Sequence, residues 1–163
     1  MIGCATFPTW NTYPGLFAAL ATGNPVIVKP HPNAVLPAAI SVKILREVLR
    51  ENGIDPNLLT LAVIEEPKVT QALATNPAVK SIDFTGSNAF GRWLIDHARQ
   101  AQVYAELAGV NNVVIESTDS YKAMLRNLAF TLCLYSGQMC TTTQDIFVPA
   151  GGKGETYHNR GAE

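Results

Sequence analysis

Cys140 stands in Ser136-Gly137-Gln138-Met139-Cys140-Thr141-Thr142, after a glycine-containing turn and before a strand. A catalytic thiol needs a polar, partly exposed position where it can become a thiolate, and this setting offers one. The same wording also suits a buried structural cysteine. Cys4 and Cys133 sit among apolar neighbours and read as structural thiols. Glu106 closes the apolar stretch Tyr104-Ala105-Glu106-Leu107. A carboxylate there suits a general base whose pKa is raised by desolvation, or simply a strand end in contact with water. In Phe84-Thr85-Gly86-Ser87-x-x-x-Gly91 a strand ends, Gly86 turns, and Ser87 stands where a helix begins. The free N–H groups and positive end of such a helix attract a phosphate. Alternatively, Ser87 is only an N-cap and Gly91 only permits close helix packing. His31, His97 and His158 are scattered and suggest neither a metal cluster nor a Cys–His dyad.

These groups need elements to hold them. Pro25-Val26-Ile27-Val28-Lys29 is a β-branched run typical of a strand buried on both faces. A helix is expected over about Val35 to Glu51, with apolar Ile40, Ile44, Leu45, Val48 and Leu49, stopped by Asn52-Gly53 with Gly53 as a left-handed cap. Strand Leu59–Ile64, a short helix Pro67–Ala74 and strand Ser81–Thr85 follow. A helix near Ala89–Gln100 and strands at Val103–Leu107 and Val113–Ile115 come next, then a helix near Ser120–Tyr135 and a strand Asp145–Val148. A further helix is expected at about Pro14–Ala21. Alternating strands and helices imply an α/β fold: a parallel sheet with helices on both faces. The tail from Gly151 to Glu163 has no aliphatic residue larger than alanine, so it reads as a flexible or non-native end.

The 163 residues carry 12 Lys plus Arg and 13 Asp plus Glu, a net charge of −1. That balance argues against a nucleic-acid or acidic-membrane surface. Hydrophobic residues are 47%, which argues for a globular chain. Charged residues are only 15%, against about 25% in a typical domain, so much of the surface is expected to be covered by other protein. Three unpaired cysteines point to free thiols in a reducing, cytoplasmic compartment. No window reaches the roughly 18 apolar residues of a membrane span, and the N-terminus lacks the basic-then-apolar pattern of a secretory signal.

Together these features resemble the aldehyde dehydrogenase superfamily. The matching pieces run in the family's order: Ala21-Thr22-Gly23-Asn24-Pro25-Val26-Ile27-Val28-Lys29-Pro30, then Phe84-Thr85-Gly86-Ser87-x-x-x-Gly91, then Glu106-Leu107-Ala108-Gly109, then Gly137-Gln138-x-Cys140. The wording around Lys29 and Cys140 is most similar to the phenylacetate-degradation branch, ring-opening semialdehyde dehydrogenases acting on CoA-linked intermediates. The resemblance implies part of a doubly wound, Rossmann-like sheet over residues 1–109 and the start of a second α/β catalytic domain over 110–150. It implies an NAD(P)-dependent oxidation of a small aldehyde to the acid. Cys140 would attack the aldehyde carbon, hydride would pass to the nicotinamide, and Glu106 would activate water to hydrolyse the thioester. Gly86, Ser87, Gly91 and the helix they open would take the pyrophosphate, and Lys29 the adenosine ribose.

Two positions depart from the family's pattern. The second oxyanion donor is usually the asparagine of Asn-Phe-Pro, but here Thr6-Phe7-Pro8 places Thr6 there. Many NAD-specific members carry a glutamate three residues after the lysine, but here Pro32 stands at that position. Without that carboxylate nothing repels a 2′-phosphate, so NADP is expected at least as readily as NAD, with His31 or Lys29 near the phosphate. Family members run to about three such lengths, so the chain reads as a piece of a homo-oligomeric enzyme whose oligomerisation strands lie elsewhere. A CoA-acylating enzyme and a catalytically silent dinucleotide-binding piece are the alternatives.

Overall fold

The β-branched run forms β1 (Val26–Val28), entered from α1 (Tyr13–Ala21) through Gly23 at φ +78°, a backbone that glycine adopts without strain. Helix α2 (Val35–Glu51) ends at Asn52-Gly53, with Gly53 at φ +70°. Then come β2 (Leu59–Leu61), α3 (Pro67–Ala74), β3 (Ser81–Gly86), α4 (Asn88–His97) and β4 (Gln102–Leu107). The remaining elements are β5 (Asn111–Val114), α5 (Tyr121–Cys133) and β6 (Thr143–Phe147). This computed structural model describes residues 1–149. The tail expected at 151–163 lies outside them. The chain divides into two compact units, the first Met1–Leu107 and the second beginning at Ala108.

In the first unit β1 pairs with β2 and β3 with β4, all parallel. Residues 1–3 join the two pairs. Ile2 bridges both Lys29 and Phe84 in parallel. Its N–H donates to the Asp83 carbonyl (2.8 Å), and the Gly3 N–H donates to that of Lys29 (3.0 Å). The spatial order is therefore β2, β1, residues 1–3, β3, β4. In chain order that is 3-2-1-4-5, the order of a doubly wound dinucleotide-binding sheet.

Alternation along the strands sends side chains to two separate cores. Val26, Val28 and Leu59 pack with Leu16 of α1 and with Ala38 and Val42 of α2. On the opposite face Ile82 and Phe84 pack with Ala74 of α3 and with Leu94 and Ala98 beside α4. Asp83, between Ile82 and Phe84, points the other way, toward α1, where a side chain at Gly15 would collide with it.

Several expectations need correction. β1 is not buried on both faces, because Ile27 is 39% exposed. β2 stops at Leu61, three residues early, because its partner β1 ends at Val28 and the Ala62 N–H makes the last bond to that strand (2.8 Å to Val28). α4 ends at His97, not near Gln100, whose amide instead donates to the Ala74 carbonyl (2.8 Å).

In the second unit β5 and β6 are parallel, with a register shift after Asn111: Asn111 pairs with Thr143, but Asn112 with Asp145. α5 buries no residue fully, and an apolar groove lined by Val113, Ile115, Met124 and Leu128 lies open. Among the described residues no helix is long and apolar enough to cross a membrane.

Candidate active site

The two Ile2 bridges and the β3–β4 register put Lys29, Ile2, Phe84 and Ala105 at one level of the sheet. The ends of residues 1–3, β1, β3 and β4 therefore share one carboxyl edge. The strand order reverses between residues 1–3 and β3, and doubly wound sheets bind ligands outside the strand ends at such a reversal. Lys29, His31, Gly86, Ser87 and the loop carrying Thr6 all sit along that edge.

Lys29 is only 8% exposed. Burial pushes its ammonium below the usual lysine range, and among the described residues no charge opposes that shift. A desolvated cation without a counter-charge favours an anionic or polyhydroxyl ligand. His31 caps the short turn Pro32–Ala34 with its Nδ1, which accepts from the Asn33 N–H (3.1 Å). That assignment leaves Nε2 as the proton-bearing, donating nitrogen.

Ser87 is the N-cap of α4, its Oγ accepting from the Phe90 N–H (3.4 Å). The capping reading is thus correct, and it leaves the hydroxyl proton to donate outward. Gly86, expected to turn, is instead the last residue of β3, where a Cβ would stand 2.7 Å from Phe84 Cζ. Gly91 is buried against Leu107 of β4, and a side chain there would collide with it. Its part is to let α4 approach the sheet, behind the Ser87 cap rather than at it.

Glu106 meets the second of its two expectations, a strand end in contact with water. It lies on the exposed side of β4, so the desolvated strand end read from its apolar neighbours is absent. Among the described residues β4 pairs only with β3, which leaves it an edge strand. Glu106 shares that face with Asp83. Burial pushes the Asp83 carboxyl above its usual range; the N-terminal ammonium opposes this and the Glu106 charge adds to it. Lys29 points to the other face with Ile2 and Phe84, so the cation and Glu106 reach the edge from opposite sides.

Thr6 is half-buried, its Oγ1 3.5 Å from Cys4 Sγ. Cys140 belongs to the second unit and is exposed. Cys133, read as buried, is also exposed, at the end of α5, and Cys4 is half-buried. Tyr135 (φ 51°), Ser136 (φ 57°) and Gly137 (φ 70°) are three successive left-handed residues just before Cys140. Such backbone costs about 1–3 kcal/mol per non-glycine residue and concentrates at functional sites.

Asn111 carried no signal in the sequence reading. Its Nδ2 donates to the Cys140 carbonyl (2.7 Å) and to the Thr142 carbonyl (3.1 Å). The doublet Asn111-Asn112, close after Glu106 in the chain, was the one available hint. Among the described residues no group of three His, Cys, Asp or Glu side chains could hold a metal.

Residues 6–158 match the sequence model of the aldehyde dehydrogenase family. A putative aldehyde dehydrogenase family 7 member A1 homolog from Caenorhabditis elegans is 33% identical over 89% of this chain and 27% of its own length. The crystal structure of an NAD-dependent aldehyde dehydrogenase from Burkholderia multivorans superposes with a TM-score of 0.88 at 62% identity, covering 93% of this chain and 27% of that one. A glyceraldehyde-3-phosphate dehydrogenase from Methanocaldococcus jannaschii, complexed with NADP, shares the fold at a TM-score of 0.86 and 22% identity. The chain thus spans about a quarter of the length of such relatives. With a doubly wound sheet, a glycine-serine junction at its reversal and a family match running through Cys140, the chain belongs to the aldehyde dehydrogenase family.

Proposed function

We propose that this chain is the part of a nicotinamide-dependent aldehyde dehydrogenase that carries the nucleophile, the base and the pyrophosphate side of the cofactor site. The observation that carries the reading is the placement of Lys29, Gly86 and Ser87 at the reversal point of a 3-2-1-4-5 sheet. These residues fit a dinucleotide: a largely buried ammonium, a glycine at the end of β3, and the N-terminus of a ten-residue helix. Residues 1–109 would be the cofactor-binding part, and 110–150 the start of the catalytic part. When bound, the nicotinamide supplies a hydride acceptor.

The chain's own residues do the rest. Ser87 and the first N–H groups of α4 hold the pyrophosphate, and Lys29 the adenosine ribose. Gly91 keeps α4 close enough to the sheet for that. Cys140 Sγ, as thiolate, bonds to the aldehyde carbon, and its own N–H and the Thr6 hydroxyl donate to the oxygen. Once the carbon has lost its hydride, the resulting thioester is cleaved by a water whose proton Glu106 takes, giving the acid and free thiolate. Pro32 is exposed and brings no carboxylate, which supports NADP at least as well as NAD. The wording around Lys29 and Cys140 supports a CoA-linked semialdehyde of aromatic degradation as the substrate. The open groove and thin charge support a longer, homo-oligomeric enzyme, and three free thiols support a cytoplasmic location.

The test is a rapid-mixing experiment on the complete enzyme. Glu106→Gln should keep a single-turnover burst of reduced cofactor while steady turnover falls about 10²-fold or more. Loss of the burst in proportion would overturn the role of Glu106. Formation of an acyl-CoA in place of the free acid, dependent on added CoA, would favour the acylating route. A purified mass of 17.5 kDa with no turnover would favour the silent cofactor-binding piece.

A further inference from the structure

The Cys140 loop is joined to β5 by side-chain bonds that span a long stretch of sequence. It follows three left-handed residues and runs through a turn, with the Thr142 N–H donating to the Met139 carbonyl (3.0 Å) and the Gln138 N–H to that of Tyr135 (3.2 Å). Both bonds are local and close the loop on itself. The Thr142 side chain does not anchor it, because its Oγ1 is buried with no hydrogen-bond partner. The Asn111 carboxamide does, spanning 29 residues of sequence to Cys140 and 31 to Thr142. One NH2 group satisfies two carbonyls that flank Thr141, so it fixes both peptide planes at once. Fixing the Cys140 carbonyl fixes that residue's ψ, and with it the direction in which its side chain leaves the backbone. The register shift directly after Asn111 adds to this: Thr143 is pinned opposite Asn111, and the extra residue, Gln144, is taken up beyond it. Bulges of this kind re-aim side chains beside functional sites.

We propose that Asn111 is the positioning residue of the nucleophile: its carboxamide clamps the carbonyls of Cys140 and Thr142 and thereby sets where the Cys140 sulfur points. The inference deepens the function proposed above and rests on Cys140 being the nucleophile. Asn111 follows Glu106 by only the connection 107–110, so the same stretch of chain that carries the base also sets the nucleophile. Asparagine is needed because the position requires two donors and no acceptor facing the carbonyls. Aspartate has the same shape but would set a carboxylate against both oxygens.

The experiment compares Asn111→Asp, Asn111→Ala and Asn111→Gln in the complete enzyme. Cys133, exposed in the same unit, is the internal reference for alkylation by iodoacetamide. Misplacement by about 1 Å can cost on the order of 10²-fold, so kcat of the Asp and Ala variants should fall about 10- to 100-fold. KM for the cofactor should stay within about twofold, because the residues that bind it lie on other elements. The Cys140-to-Cys133 labelling ratio, followed against pH, should change about fivefold or more in both variants, and Asn111→Gln, which keeps the donors, should restore part of it. Unfolding would raise labelling at both cysteines together, and the Gln variant then decides. A labelling ratio and pH profile unchanged in all three variants would overturn the clamp. Full turnover in Cys140→Ala would overturn the functional reading instead, while the labelling ratios would still judge the clamp.

Discussion

Lys29 and Pro32 stand three positions apart at the carboxyl edge of the sheet, and the proposed choice of cofactor rests on them. Lys29 is a largely buried cation whose pKa is lowered by desolvation. Its folded pKa is depressed, so the unfolded chain binds the proton more readily, and its contribution to stability rises as pH climbs from the depressed value toward 10.5. Lys29→Met should therefore leave the cofactor-free protein as stable as wild type or more so at pH 7, while weakening either cofactor. Pro32, exposed at the start of its turn, neither grips a ribose hydroxyl nor repels a 2′-phosphate. Pro32→Glu should shift preference toward NAD by about 1–3 kcal/mol if the new carboxylate is partly desolvated. The measurement is kcat/KM for both cofactors in wild type and the two variants. A wild type that strongly prefers NAD would refute the part given to Pro32.

At the scale of elements, the contact between α4 and β4 holds in place the Ser87 cap, the proposed phosphate site. α4 begins at the Ser87 cap and is stitched to the sheet by Phe90, which meets Phe84 edge to face at 5.5 Å between ring centroids. Trp93 stacks on Phe90 at 5.6 Å and on His97 at 4.6 Å, giving the helix one aromatic flank. Gly91 sits between the Phe84 ring and Leu107, and a methyl group there would collide with Leu107. Gly91→Ala must push Leu107, the residue after Glu106, or lift the helix and its cap. The Leu107 side chain can yield, so the stability cost should be about 1 kcal/mol, at the low end for overpacking. Cofactor KM should rise as the cap moves, and equilibrium unfolding together with a cofactor titration would show both effects. A variant with normal KM would mean that α4 adjusts without disturbing Ser87.

At the scale of the whole molecule, α2 carries two apolar stripes. Ala38, Val42, Leu45 and Leu49 face the sheet. Leu36, Ile40, Ile44 and Val48, each four residues on from the last, form a second stripe that faces outward, with Leu36 69% exposed. Water-facing stripes of this size are rare on free-standing proteins. Together with the open groove of the second unit, they give a structural reason for the low charge content. The 163-residue polypeptide alone should bind a hydrophobic dye and self-associate, and Ile40→Lys with Ile44→Lys should reduce both. Dye fluorescence and light scattering read the outcome. Unchanged binding in the double variant would move the exposed surface elsewhere.

Local physics made much of this protein legible from its residues. Gly53 and Pro67 ended and began helices as their backbone preferences require, and Val26-Ile27-Val28 became a strand because branched side chains suit a pleated surface. Ser87 capped a helix at the expected position because an N-cap depends only on near neighbours. The family motifs could be read in order for the same reason, each being a short run. What the residues did not reveal depends on partners far along the chain. Residues 1–3 are too few to signal a strand, yet hydrogen bonds to Asp83 and Lys29 make them the centre of the sheet and fix its reversal point. The apolar neighbours of Cys133 suggested burial, and those of Glu106 left burial and exposure both open, because exposure is decided by what packs across a residue; both are exposed among the described residues. Asn111 was silent because its two acceptors lie about thirty residues away, brought to it only when β6 pairs with β5.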